Sequence, residues 1–310
     1  MPQSLHSRQI LEKIREVNVW KRGEKRAPHK PLLILLALGR VTRGEDRLAP
    51  FPDLEQKLRR LLEEFGLPGR SVHAEYPFWH LQSDGLWEIH GAENLTRRSG
   101  SKQPLVSELR AHEIPGGFPE EIDRAFREDP LLVAQAALTV LQNHFPESLH
   151  AEILAAAGLS HILLPQPREE QILFREAVLD AYGHACALCG YDVRLGSAGL
   201  GLGAAHIQWR PAGGPDHVTN GLALCAIHHR AFDRGAVSLD ASYRILVSDR
   251  LAGRIGLEEW FRSLAGRKAH LPRQDELAPA EAYLDWHHEN VFWRSATPGD
   301  TLAGAAGAGL

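Results

Sequence analysis

Side chains that can bind a metal ion or move a proton are concentrated between residues 186 and 235 of the 310-residue chain. All three cysteines of the sequence fall in this window. Cys186 and Cys189 are separated by two residues, and Cys225 and His228 repeat that spacing. Three thiolates and one imidazole form a ligand set suited to a tetrahedral structural zinc ion. The pattern therefore predicts that these four residues bind Zn²⁺, with scattered buried cysteines as the alternative.

A second set of polar residues, His206, Asn220, His229 and Asp233, is interleaved with these ligands. A neutral imidazole can act as a general base near neutral pH. A divalent cation can hold a phosphodiester and stabilise its departing oxygen. Asp233 follows His229 by four residues, a spacing that places both on the same face of a helix. These residue types are therefore suited to acid–base catalysis and to binding a divalent cation.

The window from residue 186 to residue 235 resembles the HNH nuclease family. The two Cys/His pairs, the second polar set and the closing sequence FDRG at residues 232–235 carry the resemblance. It implies a ββα-metal fold, in which two strands and a loop precede a helix that carries His229. It also implies that this domain hydrolyses DNA.

The resemblance implies a role for each residue of the second set. His206 would be the general base that activates water, and Asn220 would fix the loop and orient His206. His229 and Asp233 would bind the catalytic cation, such as Mg²⁺, Mn²⁺ or Co²⁺. Many members of the family carry a metal-binding Asp or His directly before the base, where this chain has Ala205. The effect of Ala205 on the metal site is open at this point.

Charge is distributed unevenly along the chain. The formal net charge is −4, yet residues 1–43 contain ten Lys and Arg against three Asp and Glu. A basic patch on an otherwise acidic molecule is typical of nucleic-acid binding. The sequence therefore predicts a DNA-binding surface near the N-terminus.

Two motifs in the first half resemble the sulfur-binding domain of restriction enzymes that attack phosphorothioate-modified DNA. They are APHKPLLILLALG at residues 27–39 and YPFWHLQSDGLW at residues 76–87. Enzymes of that kind join this domain to a C-terminal HNH nuclease, in the order found here. The resemblance implies a restriction endonuclease that recognises double-stranded DNA carrying phosphorothioate linkages and cuts nearby.

Sulfur is larger, softer and less hydrated than the phosphate oxygen it replaces, so its binding site should combine an apolar wall with cationic groups. Tyr76 and Pro77 are the candidates for the wall. A phosphate at a helix N-terminus also gains from free backbone N–H groups. The candidates for phosphate and base contacts are His29 and Lys30, at a predicted helix start, and Arg97 and Arg98, in a predicted loop.

The elements around these residues predict an α+β protein. Apolar spacing indicates a mainly helical N-terminal DNA-reading domain, and the Ser-Asp-Gly turn at residues 83–85 indicates a short β-hairpin over residues 76–90. The predicted domains are 1–145 for sulfur binding and 168–294 for the nuclease with its zinc knuckles. Residues 146–167 are predicted to be a linker, and 295–310 a disordered tail.

The remaining expectations concern location, assembly and alternative functions. The sequence shows neither a membrane span nor a secretory signal, which predicts a cytoplasmic protein without a membrane partner. A homodimer is left open. One alternative is an HNH endonuclease that reads methylated or hydroxymethylated cytosine through an aromatic cage of Phe78, Trp79 and Trp87. Another is a non-catalytic, zinc-stabilised DNA-binding protein.

Overall fold

The computed structural model describes residues 5–18, 21–22, 25–26, 28–66, 72–97, 103–196 and 198–293. These residues form two units. The N-terminal unit holds the described residues up to Phe145 together with His150–Leu164, and the C-terminal unit holds Pro146–Leu149 and the described residues from Pro165 onward. The predicted tail at 295–310 lies outside the described residues.

The N-terminal unit is built around α2 (His29–Thr42), whose residues from Pro31 to Gly39 are all buried. The helix is apolar on almost every side, and it is therefore buried among neighbouring elements. Helices α3, α4, α6, α7 and α8 pack against it. The other helices are α1 (Leu5–Arg15), α3 (Phe51–Phe65), α4 (Glu75–His80), α5 (Val106–Ala111), α6 (Glu120–Glu128), α7 (Pro130–His144) and α8 (His150–Ala157).

The strands of this unit are short. A three-stranded antiparallel sheet has the order β3–β5–β4, and a small hairpin joins β1 to β2. Their bounds are β1 (Lys21–Arg22), β2 (Lys25–Arg26), β3 (Ala49–Pro50), β4 (Glu88–Ile89) and β5 (Pro115–Gly117).

The hairpin predicted over residues 76–90 is wrong. The segment forms α4 and a 3-10 turn (Leu81–Asp84), and only Glu88–Ile89 is a strand. Phe78 and Leu81, three residues apart, are both buried, which is helical and not strand periodicity. Gly85 has a φ of 66° and ends the 3-10 turn, so the Asp-Gly pair terminates a helical segment and makes no hairpin turn.

The first unit extends beyond the predicted boundary at residue 145, because α8 belongs to it. Gly39 of α2 lies so close to α8 that an added Cβ would stand 1.9 Å from the Ala157 carbonyl oxygen. Only glycine permits this approach between the two helices. Most of the predicted linker at 146–167 is therefore folded structure.

The C-terminal unit contains the expected ββα arrangement. β8 (Leu202–His206) pairs antiparallel with β9 (Gly221–Cys225), with Leu202 opposite Cys225 and His206 opposite Gly221. α10 (Ala226–Asp233) follows β9 directly, and both it and α9 (Glu169–Ala181) pack against the strand pair. The α+β class, with a mainly helical first unit, is thus confirmed.

Smaller elements complete this unit. They are the strands β6 (Arg194–Leu195), β7 (Ala198–Gly199), β10 (Val237–Leu239) and β11 (Ile245–Val247), and the helices α11 (Leu257–Trp260) and α12 (Glu281–Asn290). β6 pairs with β7, and β10 pairs with β11. No helix in the described part of the chain is long and apolar enough to cross a membrane.

Candidate functional site

The four predicted zinc ligands come together in the C-terminal unit. Cys186, Cys189, Cys225 and His228, here called the Cys/His cluster, place one ligand atom each within 4.8 Å of all the others. Cys225 ends β9 and His228 lies in the first turn of α10, so the strand-to-helix junction supplies half of the cluster. It is the only group of three or more potential metal-binding side chains of these types among the described residues.

The surroundings of the Cys/His cluster suit a bound cation. His228 Nε2 lies 2.8 Å from the Trp260 carbonyl oxygen, so it carries the proton and leaves Nδ1 facing the thiols. That Nδ1 is 3.2 Å from Cys225 Sγ. Hydrogen bonding with the Cys189 thiol lowers the pKa of Cys186, which favours the thiolate form that binds metals.

His206 is the last residue of β8 and is held on two sides. Its Nε2 lies 2.7 Å from Asp216 Oδ1, and its ring stacks on Phe174 with 4.0 Å between centroids. Arg210 Nη2 in turn lies 2.9 Å from Asp216 Oδ2. Burial lowers the pKa of His206, and Asp216 opposes that shift. The lowered pKa favours the neutral imidazole, which is the form that can act as a base.

Asn220 is fully buried and holds the loop that follows His206. Its Oδ1 accepts a hydrogen bond from the Gln208 N–H at 2.8 Å, and its Nδ2 donates to the carbonyl oxygens of Gln208 and Pro215, each at 3.0 Å. Gly214 allows this closeness, since an added Cβ would stand 1.8 Å from the Gln208 oxygen. The oxygen and the nitrogen of the Asn220 side-chain amide are therefore both hydrogen-bonded to the backbone of this loop.

His229 and Asp233 lie one turn apart on α10, with Nε2 and Oδ2 separated by 3.2 Å. Two ligands on adjacent corners of an octahedral Mg²⁺ site, at about 2.1 Å from the ion, are themselves about 3 Å apart. The pair therefore fits one divalent cation. Ala205 is buried in the core opposite Leu222, so the strand adds no ligand there.

Pro146–Leu149, here called the bridging segment, brings two further polar side chains to these pairs. Ser148 Oγ donates a hydrogen bond to Asp233 Oδ2. Glu147 accepts one from Gln171 and lies 3.7 Å from Arg210, the partner of Asp216. Because Glu147 and Ser148 are adjacent, the bridging segment contacts both Arg210, the partner of Asp216, and the His229–Asp233 pair.

In the N-terminal unit, the predicted sulfur wall lies at the start of α4. Tyr76 is exposed and its ring stacks on His73 with 4.6 Å between centroids. Pro77 is buried, so Tyr76 is the member of the wall that faces outward. Phe78 and Trp87 are buried in the core, where their rings pack edge to face, so they form no open aromatic cage.

Two of the predicted cationic residues, Lys30 and Arg97, contact residues in or just after α4. His29 and Lys30 open α2, and Lys30 Nζ lies 2.6 Å from Asp84 Oδ2, just after α4. The Arg97 guanidinium lies 5.2 Å from the centre of the Trp79 ring. Arg98 lies outside the described residues. The structure thus brings Lys30 and Arg97 to the α4 segment, with the charge of Lys30 already paired.

Asp216, Arg210, Glu147 and Ser148 were missed by the sequence reasoning. Asp216 lies between His206 and Asn220, and its position in that loop was the one available signal. Ser148 is 85 residues away from Asp233 along the chain, and no local pattern links them.

Comparisons with known protein families match both parts of the chain. The family described as ScoMcrA-like, DNA sulfur-binding domain matches residues 7–162, half of the chain. The chain belongs to this family. A second family, described as HNH endonuclease, matches residues 186–240. Both resemblances predicted from motifs are confirmed, and the chain combines a sulfur-binding domain with an HNH nuclease domain.

Several solved structures are similar over part of the chain. The sulfur binding domain of ScoMcrA complexed with phosphorothioated DNA is 27% identical with a TM-score of 0.44, over 53% of this chain and 100% of that one. The type IV phosphorothioation-dependent restriction endonuclease ScoMcrA is 25% identical with a TM-score of 0.43, over 59% of this chain. The match spans 39% of that endonuclease. No curated protein matches the chain.

Proposed function

We propose that this protein is a modification-dependent restriction endonuclease that binds phosphorothioated double-stranded DNA and hydrolyses a nearby phosphodiester bond. One observation carries the proposal: a unit of the sulfur-binding family is joined in one chain to an HNH unit in which His206 ends β8 and His229 and Asp233 lie on α10. The first unit would select the DNA, and the second would cut it.

Selection would begin at α4 in the N-terminal unit. The exposed Tyr76 ring offers sulfur an apolar surface, and the first turn of α2 offers backbone N–H groups to a phosphate. Lys30 is paired with Asp84, so its contact with a DNA phosphate would be shared with that carboxylate. Arg97, held against Trp79, would add a second cationic contact.

His206 would be the general base of the cleavage step. Its Nε2–H donates to Asp216, which fixes the tautomer and leaves Nδ1 free of a proton. Nδ1 can then take a proton from the attacking water. Asn220 would act as a positioning residue, because its buried amide is hydrogen-bonded to the backbone of Gln208 and Pro215.

His229 and Asp233 would hold the divalent cation required for cleavage. When bound, the cation supplies positive charge that stabilises the phosphodiester's departing oxygen. Two protein ligands leave positions for water and a phosphate oxygen, as is usual for Mg²⁺ in sites that act on phosphates. The Cys/His cluster, with four protein ligands, would hold Zn²⁺ as a structural ion.

The decisive experiment uses matched DNA duplexes with and without phosphorothioate linkages, incubated with the full chain in Mg²⁺, Mn²⁺ or Co²⁺. We expect cleavage of the sulfur-containing duplex alone, and no cleavage by His206→Ala, which should bind that duplex as tightly as the unchanged protein. Equal cleavage of both duplexes would contradict sulfur recognition. Cleavage dependent on methylated or hydroxymethylated cytosine would favour the alternative reader.

Replacing Tyr76 by alanine tests the sulfur contact itself. Losing the apolar contact between one sulfur atom and one ring should cost about 1–2 kcal/mol, or about tenfold in affinity for modified DNA. Fluorescence anisotropy should show nearly unchanged binding of unmodified DNA. His112→Ala, an exposed residue of the same unit, serves as the matched control. A folded Tyr76→Ala protein with full sulfur preference would place the contact elsewhere.

A further inference from the structure

The Asp233 carboxylate is buried, and its Oδ2 has two side-chain partners. One is His229 Nε2 at 3.2 Å, on the same helix. The other is the hydroxyl of Ser148, which donates to the same oxygen from the bridging segment. The Ser148 hydroxyl, which lies outside the His229–Asp233 pair, therefore restrains the orientation of the Asp233 carboxylate.

The bridging segment is fixed in the C-terminal unit although the chain enters it from α7 and leaves it into α8. Its 3-10 turn (Glu147–Leu149) packs against α10. Glu147 anchors it through Gln171 of α9 and through Arg210. Leu149 is buried, and its N–H donates to the Pro146 carbonyl oxygen at 3.1 Å. These contacts hold Ser148 against Asp233.

We propose that Ser148 is a positioning residue of the nuclease site, which holds the Asp233 carboxylate in the orientation that binds a divalent cation. The inference rests on the proposed function, since it assigns Asp233 to that cation. Hydrogen bonds to a metal-binding carboxylate orient it, and their loss weakens the metal site. The effect should be large here because Ala205 supplies no ligand, which leaves the cation with two protein groups.

The test measures Mn²⁺ binding and DNA cleavage separately. The full chain, with zinc bound, is titrated with Mn²⁺ by calorimetry, and cleavage of phosphorothioated DNA is followed as a function of Mn²⁺ concentration. Ser148→Ala should weaken Mn²⁺ binding about 10-fold to 100-fold, and its cleavage rate should recover at saturating Mn²⁺. Ser148→Thr keeps the hydroxyl and should restore most of the affinity.

Ser242→Ala removes the same hydroxyl from an exposed turn of the same unit and serves as the control. Melting curves should be the same for all variants, and binding of phosphorothioated DNA should not change. Unchanged Mn²⁺ affinity in Ser148→Ala would overturn the inference, whether or not cleavage falls. If the unchanged protein bound no Mn²⁺ beyond its zinc, the proposed function would itself fail, and the role of Ser148 with it.

Discussion

The two candidate metal sites of the C-terminal unit differ in the number of ligands and in exposure. The Cys/His cluster brings four side chains within 4.8 Å, and three of them are buried. His229 and Asp233 form a pair in which Asp233 is buried and His229 is partly exposed. A site with four protein ligands has no coordination position left for substrate, whereas a cation held by two protein ligands does.

On the proposed function, two adjacent residues of one short helix have different roles. His228 faces the thiols and is fully buried, whereas His229 faces Asp233. Because neighbouring residues on a helix point about 100° apart, α10 can join a structural site to a catalytic one. We therefore expect changes at the first site to affect folding and changes at the second to affect cleavage.

Cys186→Ser should have the largest effect. Structural zinc contributes about 10–16 kcal/mol of apparent binding free energy in zinc-finger peptides, which equals or exceeds the stability of a typical domain, about 5–15 kcal/mol. The C-terminal unit should therefore lose zinc and unfold, as measured by metal content and limited proteolysis. A folded, active and zinc-free variant would remove the distinction between the two sites.

His229→Ala should leave the C-terminal unit folded and strongly reduce DNA cleavage. Removing one of two protein ligands should lower cleavage by about 10²-fold or more, since losing even a hydrogen-bonding partner of a metal ligand commonly costs about 10-fold to 100-fold. Mn²⁺ binding should be lost, while zinc content and the melting curve stay unchanged. His184→Ala provides the control, since His184 is a half-exposed histidine of the same unit that pairs with Asp180. Loss of zinc from His229→Ala would contradict the assignment of His228 to the Cys/His cluster.

Asp216→Asn should have a smaller effect and a specific pH signature. Asp216 raises the pKa of His206 while burial lowers it, so the variant's pKa should fall further below the ordinary value of 6.5. The cleavage rate should decrease about 10-fold to 100-fold as tautomer control is lost. At saturating Mn²⁺, its decline on the acidic side should move to lower pH. An unchanged profile would show that Asp216 does not act on the base.

The pairings of residues within the C-terminal unit could be predicted from the sequence because the spacings within each pair are short. Cys186 to Cys189 and Cys225 to His228 are single turns of chain, and His229 to Asp233 is one turn of helix. Local backbone geometry is enough to bring the two members of each pair close together. The contacts of Ser148 and Asp216 depend instead on how separate elements pack, and no short pattern encodes them.

The N-terminal site was harder to predict for a related reason. Tyr76 and Pro77 lie in an aromatic stretch whose composition favours strands, and tertiary packing of Phe78 and Leu81 made it helical. Lys30 had a recognisable motif, yet its pairing with Asp84 links residues 54 positions apart. The motif identified the family correctly and left the contacts undetermined.

The division of the chain has a consequence for anyone who wishes to exchange its parts. A fragment that begins at Pro165 keeps the Cys/His cluster, His206 and Asp233, but it lacks Ser148 and Glu147. A fragment that begins at Pro146 regains them and carries α8, which packs at Gly39 of the other unit. No single cut separates two complete units, so transplanting this nuclease onto a new DNA-binding partner requires the bridging segment to be rebuilt along with it.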